Sequence, residues 1–302
     1  METSDGEHVV SATPDKINLV MNGGGVRLAA YVGAITAFRD MGLQFGAVAS
    51  ASAGSIVGAF LAAGWSPEAM YAKVLETDFT RFKDRRLRSL LFEGGLYAGN
   101  VFERWLDAQL HGARFGDLRA DLFVIAVDLI GREPFVFSRY TTPEVAVSKA
   151  VRCSMAIPWV WRPDRWDGKL LADGQLLPWI PSGIEMMQAT DAGANAVRTV
   201  MLRLLGDPPQ DRLARRRLWP WDLAAILLET MLTALENQRV PGPLWQDTIL
   251  IRVGKIAPLQ LRLTDAAKEY LFRCGYDQAH RYFHKASPQH QAAPEPTAAF
   301  RS

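Results

Sequence analysis

Hydrophobic positions along this chain fall into two alternating patterns. The short run Ile17-Asn18-Leu19-Val20-Met21 is apolar at four of five positions and stops at Asn22-Gly23-Gly24-Gly25. A run of that length, bounded by turn residues, predicts a buried strand. Apolar residues then recur at helical spacing from Leu28 to Met41, and Gly42 stands where a C′ glycine ends a helix. The pair repeats: residues 46–51 predict a second strand and a helix begins after Ser52. Leu122 to Val127 is aliphatic and β-branched throughout, which suits a strand buried on both faces. Residues 134–138, 199–205 and 248–253 predict three more strands. Strand and helix in alternation predict an α/β fold, with helices flanking a largely parallel central sheet. We expect one domain over 16–285, between a flexible polar tail (1–15) and a disordered Pro-, Ala- and Gln-rich tail (286–302).

One region breaks the rhythm. Residues 206–245 begin as a basic, aromatic, proline-punctuated loop. They then show Leu223, Ile226, Leu227, Thr230, Met231 and Leu235 at helical spacing.

Composition narrows the picture only a little. With 302 residues, 49% hydrophobic and 22% charged, the chain can bury a large core. A net charge of +2 gives no electrostatic reason to expect nucleic acid as a partner. Cys153 and Cys274 are too few for a disulfide framework or a zinc site, and two free thiols fit a reducing compartment. The N-terminal residues lack the basic and apolar regions of a secretory signal, and no stretch reaches 18 uncharged apolar residues. A cytoplasmic protein, able to sit on a membrane surface without spanning it, is the expectation.

Three local sequences carry candidate chemistry. Ser50-Ala51-Ser52-Ala53-Gly54 lies between a strand and a helix. A serine on such a turn has its hydroxyl pushed clear of the backbone beside the positive end of a helix. Small residues are required two places either side, here Ser50 and Gly54. Asn22-Gly23-Gly24-Gly25-Val26-Arg27 occupies another strand-to-helix junction. Its unshielded N–H groups suit an anion, either a phosphate or the oxyanion of acyl transfer, and Arg27 adds charge or holds the loop. Dinucleotide binding does not fit, because Leu28 takes the final glycine position and residues 44–50 contain no acid. Third, Leu170-Leu171-Ala172-Asp173-Gly174-Gln175 ends an apolar run on a carboxylate in a tight turn. Asp128, closing the strand 122–127, competes with Asp173 for the same role.

No histidine is placed to complete a triad. His8 and His290 lie in the tails, His111 in a polar stretch, and His280 and His284 on a terminal helix without a metal-binding context. A carboxylate acting directly as base on Ser52 is the simpler arrangement.

In this order and spacing, the glycine-rich loop, the S-x-S-x-G turn and the Asp-Gly turn resemble the patatin-like phospholipases. Residues 150–181 and 246–283 resemble the family's segments around its aspartate and at its C-terminal end. The resemblance implies a three-layer fold and a lipid acyl hydrolase with no cofactor and no metal. Ser52 matches the nucleophile and Asp173 its base. Gly23, Gly24, Gly25, Val26 and Arg27 match the oxyanion loop. The implied substrate is a phospholipid or another acyl lipid. Four positions depart from the family's usual residues: Ser50 and Leu28 replace glycines, Tyr31 stands where a histidine is common, and Gln175 follows Asp173-Gly174 in place of Gly or Ala. If Ser50 or Leu28 needed positive φ, the cost would be roughly 1–2 kcal/mol. The departures keep two rivals in view: an esterase for non-lipid esters, and a catalytically weak binding or scaffold protein.

Two basic runs suit peripheral contact with anionic lipid. One combines Arg212, Arg215, Arg216 and Arg217 with Trp219 and Trp221, and the other spans Arg81 to Arg88.

Overall fold

The computed structural model describes residues 16–84, 94–177, 180–190, 198–207 and 247–285, with helical positions 223, 226, 227, 230, 231, 233 and 234 between them. Both tails, Arg85 to Arg88, the four arginines 212–217 with their tryptophans, and Leu235 lie outside the described residues.

In chain order the strands are β1 (Lys16–Met21), β2 (Gln44–Ala51), β3 (Gly95–Tyr97), β4 (Leu122–Asp128), β5 (Glu133–Phe137), β6 (Trp159–Trp161), β7 (Asp164–Trp166), β8 (Lys169–Asp173), β9 (Arg198–Leu205) and β10 (Thr248–Arg252). The described helices are α1 (Ala29–Asp40), α2 (Ala53–Ala62), α3 (Pro67–Glu76), α4 (Asn100–Gln109), α5 (Val147–Ser154), α6 (Ile180–Gln188) and α7 (Asp265–Lys285).

The main sheet runs β10-β9-β1-β2-β4-β8-β7, with β5 also paired to β4. From β10 to β4 every pairing is parallel. Beyond β4 the sheet turns antiparallel, through β5, β8 and β7. Strand side chains alternate between two apolar layers, as a period of two requires. Leu19, Met21, Val48, Val124 and Ala126 face α1, α2 and α5, whereas Val20, Ala49, Ala51, Phe123 and Ile125 face Ile184 and Met187 of α6. This is the α/β arrangement expected from the alternation, with the three layers that the resemblance implies. The polar exception inside β1, Asn18, sits at a break in the β1–β2 register. Its Oδ1 accepts the Ala47 N–H at 2.9 Å, so the irregularity is hydrogen-bonded.

Helix α1 is buried along nearly its whole length because α7 covers its outer face, with Phe38 meeting Phe283 edge-on at 5.5 Å between ring centres. The helical pattern near residue 230 is present, but Leu223, Leu227 and Met231 are exposed.

Candidate active site

Ser52 sits between the last residue of β2 and the first of α2 with φ 50° and ψ −128°. Positive φ on a residue with a Cβ costs on the order of 1–2 kcal/mol. The turn is held because α2 buries Ile56, Val57 and Phe60 against the core, each contributing roughly 2 kcal/mol. Hydrogen bonds fix the turn further. The Ser52 N–H donates to Ser154 Oγ at 2.8 Å, and Ser154 Oγ donates to the Ile125 carbonyl at 2.5 Å. The Ser52 carbonyl accepts from the N–H (2.9 Å) and the hydroxyl (2.5 Å) of Ser55. Gly54 is required by space: a Cβ there would lie 2.5 Å from the Asn22 carbonyl oxygen. Ala51 and Ala53 on either side of Ser52 are buried.

The two replaced glycines carry no backbone strain. Ser50 is not among the residues with positive φ, and Leu28 is right-handed helical at φ −58° and ψ −21°. The Ser50 hydroxyl is buried and faces the Phe123 carbonyl at 3.5 Å. Leu28 spends its side chain on the pocket described below.

Asp173 reaches Ser52 through strand register. β2 pairs with the first half of β4, ending at Ala51 opposite Ile125. β8 pairs with the second half, with Asp173 opposite Ala126. β5 overlaps both stretches of β4 and so takes the other edge. β2 and β8 therefore lie end to end along one edge of β4, running towards each other. Ser52 and Asp173 occupy the meeting point. Gly174 fits there because a Cβ would lie 2.1 Å from the Ile125 carbonyl oxygen.

Burial pushes the Asp173 carboxyl up to about 6, while the Ser52 hydroxyl and the Gln175 N–H draw it back down. Oδ1 accepts the Gln175 N–H at 2.8 Å. Oδ2 is buried and has no hydrogen-bond partner among the described residues. The Ser52 hydroxyl is thus close enough to favour the charged carboxyl but stops short of a completed bond, as is common before substrate binds.

The glycine loop is clamped from behind. Arg27, itself buried, donates through Nε to the Gly24 carbonyl at 2.8 Å. The Tyr31 hydroxyl lies 2.7 Å from the Asn22 carbonyl and 2.9 Å from that of Gly23. The Val26 N–H donates to the Pro258 carbonyl at 2.9 Å, and the Arg27 N–H to that of Gly24 at 3.3 Å. Those two amides are therefore engaged. The N–H groups of Gly24 and Gly25 have no acceptor among the described residues.

Beside Ser52 lies a pocket with about 480 Å³ of empty space, solvent at its mouth included. Gly25, Val26, Leu28, Ile56, Phe102 and Trp161 are among its walls, and among the described residues Ser52 is its only hydroxyl. Its chemistry suits a hydrocarbon chain delivered to a serine oxygen. None of the described histidines, His111, His280 and His284, lines it. His280 and His284 meet each other instead, with Nε2 atoms 3.1 Å apart. Cys153 and Cys274 are free, and burial pushes the Cys153 thiol up to about 12, so it stays protonated.

Sequence reasoning missed Ser154 and Pro258. Ser154 is 102 residues from Ser52, and a serine at the end of α5 carries no local signal of its partner. Pro258 acts through its carbonyl, which any residue possesses.

Comparison with known proteins bears on the family and the fold. The family model described as patatin-like phospholipase matches residues 19–181. The uncharacterized protein YqhO of Bacillus subtilis (strain 168) is 28% identical over 283 residues, covering 86% of this chain and 95% of that protein. An uncharacterized NTE family protein of Mycobacterium tuberculosis (strain H37Rv) is 32% identical over 198 residues, covering 65% of this chain and 51% of that protein. Among solved structures, VipD from Legionella pneumophila aligns with a TM-score of 0.60 at 15% identity, over 90% of this chain and 67% of that one. ExoU from the type III secretion system of Pseudomonas aeruginosa, solved with SpcU, aligns at 0.54 and 17% identity, over 90% of this chain and 53% of that one. The chain thus spans about half the length of ExoU and of the mycobacterial relative, and the structural likenesses bear on fold alone. No helix of the described residues is long and apolar enough to cross a membrane.

Proposed function

Because the chain belongs to the patatin-like phospholipase family, a family of lipid hydrolases, we propose that it is a serine acyl hydrolase acting on fatty-acyl esters of phospholipid or another acyl lipid. The observation that carries this reading is the pairing of Ser52, on its strained turn, with a buried carboxyl whose pKa is raised to about 6. A base with that pKa is deprotonated at neutral pH yet far more basic than an ordinary aspartate, which is what abstraction of a serine proton needs.

Asp173 takes the Ser52 proton as Ser52 Oγ attacks the ester carbonyl. The acyl chain lies in the apolar pocket. The oxyanion is held by the N–H groups of Gly24 and Gly25, which have no acceptor among the described residues. Loss of one such donor costs on the order of 3 kcal/mol of transition-state stabilisation. Gly23, Val26 and Arg27 hold the loop in shape. Asp173 returns its proton to the alcohol as it leaves, and water, deprotonated by Asp173, releases the acyl-enzyme. Access to lipid is peripheral in this reading, with one of the two basic runs of the sequence meeting anionic membrane.

Labelling with a fluorophosphonate probe and release of free fatty acid from anionic phospholipid vesicles test the reading together. Both are expected with the wild type and both vanish in Ser52→Ala. Labelling without fatty-acid release, but with turnover of p-nitrophenyl butyrate, would favour the non-lipid esterase. A Ser52 that does not label removes both hydrolase readings.

A further inference from the structure

Gln175 acts at two places. Its backbone N–H donates to Asp173 Oδ1 at 2.8 Å. Its half-buried side chain folds over the glycine loop. A methyl group on Gly23 would meet Gln175 Oε1 at 1.8 Å and Ser52 Cβ at 2.9 Å, so the carboxamide and the nucleophile flank a single point. The carboxamide makes no hydrogen bond to any other described residue. Two donors and an acceptor, whichever way the amide is turned, are left available beside Ser52.

An ester bound at Ser52 has two halves. The acyl half has the apolar pocket, whose walls include Gly25 and Val26 but neither Gly23 nor Gln175. The alcohol half lies outside that pocket, and Gln175 and Gly23 are neighbours of Ser52 that the pocket does not include. Resting on the acyl-hydrolase reading of Ser52, we propose that Gln175 is a specificity-determining residue for the alcohol half, its carboxamide hydrogen-bonding a hydroxyl next to the scissile oxygen. A buried apolar side chain at this place would leave that hydroxyl unpaired, and an alcohol without the hydroxyl leaves the carboxamide unpaired. Either mismatch weakens the transition state.

The test holds the acyl chain constant and varies the alcohol. kcat/KM is measured for 2-hydroxyethyl octanoate and ethyl octanoate on one preparation, so the ratio does not depend on the active fraction. The wild type is expected to favour the hydroxyethyl ester by about tenfold. Gln175→Ala and Gln175→Leu are expected to bring the ratio close to one. Leucine refills most of the space, so a role in packing alone would be restored by it, whereas a hydrogen-bonding role would not. A wild-type ratio near one, or a wild-type preference retained in the leucine variant, overturns the proposal while the hydrolase reading stands. No turnover of either ester above a Ser52→Ala background, with no fluorophosphonate label, overturns both.

Discussion

Asp128 and Asp173 stand at the ends of neighbouring antiparallel strands, and both are almost fully buried. Their surroundings drive them in opposite directions. Burial pushes both up. For Asp128 it is outweighed by the Ile130 N–H, the Lys169 ammonium, and the N–H groups of Leu170 and Gly131, which together hold its carboxyl below the usual range. The Ile130 N–H lies at 3.0 Å, Lys169 Nζ at 3.2 Å and the Leu170 N–H at 3.3 Å. Among the described residues Asp173 has no cation and one backbone donor, and its second oxygen has no hydrogen-bond partner. A satisfied carboxylate builds structure. A carboxylate denied hydrogen bonds keeps its appetite for a proton.

The sharpest break of this comparison is to neutralise each in turn. Asp173→Asn is expected to lower kcat/KM by roughly a thousandfold or more, because it removes the proposed base. Asp128→Asn is expected to leave fatty-acid release within about threefold of wild type and to cost about 1–3 kcal/mol of stability, because it strands Lys169 and the amides around it. Chemical denaturation read alongside activity separates the two. Equal catalytic losses from both would erase the distinction.

Stability should then move the opposite way at Asp173. Its folded pKa, about 6, lies above the ordinary value of 3.8. The folded state therefore holds the proton where the unfolded state has lost it. Stability falls as pH rises between about 4 and 6, by about 3 kcal/mol in all. Asp173→Asn removes that loss and is expected to be more stable than wild type at pH 7 by up to the same ~3 kcal/mol. Asp128 has the reverse sign: its contribution is present above its unfolded pKa and is lost as pH falls through its depressed folded pKa. In activity, kcat/KM is expected to rise about tenfold per pH unit below about 6 and to level off above it, since the proposed base must be deprotonated to accept the serine proton. A profile flat from pH 5 to 8 would exclude Asp173 as the base.

A smaller effect is expected at Ser154. Ser154→Ala leaves the Ser52 N–H without its acceptor, at a cost of about 1–3 kcal/mol, and lowers kcat more than it raises KM by loosening the turn. The smallest belongs to Ser50. With no positive φ to relieve, Ser50→Gly is expected to bring no gain in activity and to cost up to about 1 kcal/mol from added freedom in β2.

The strands that form the parallel half of the sheet were legible because they are long enough to show apolar runs. The three-residue strands β3, β6 and β7 carry no periodicity and were not. Helix α3 did announce itself, since the Ser66 side chain accepts the Ala69 N–H and Pro67 opens the first turn, but a single cap without a strong apolar stripe is easily passed over. Leu28 and Ser50 look costly only when judged by the residue types they replace. In place they adopt ordinary backbone conformations, and Leu28 becomes a wall of the pocket.

By itself the sequence determined the pieces: a serine on a strand-to-helix turn, a glycine loop with bare amides, and aspartates at strand ends. Each depends on residues adjacent in the chain, so each leaves a local pattern. The tertiary structure decided which pieces work together. Ser52 and Asp173 meet because β2 and β8 share one edge of β4, and β4 register places Ala51 opposite Ile125 and Asp173 opposite Ala126. Which amides of the glycine loop stay unspent was settled by the Pro258 carbonyl, more than two hundred residues away. Which aspartate keeps a raised pKa was settled by the hydrogen bonds that reach Asp128 and not Asp173. Hydrogen-bond supply and burial are properties of the packed chain, and no local stretch of sequence records them.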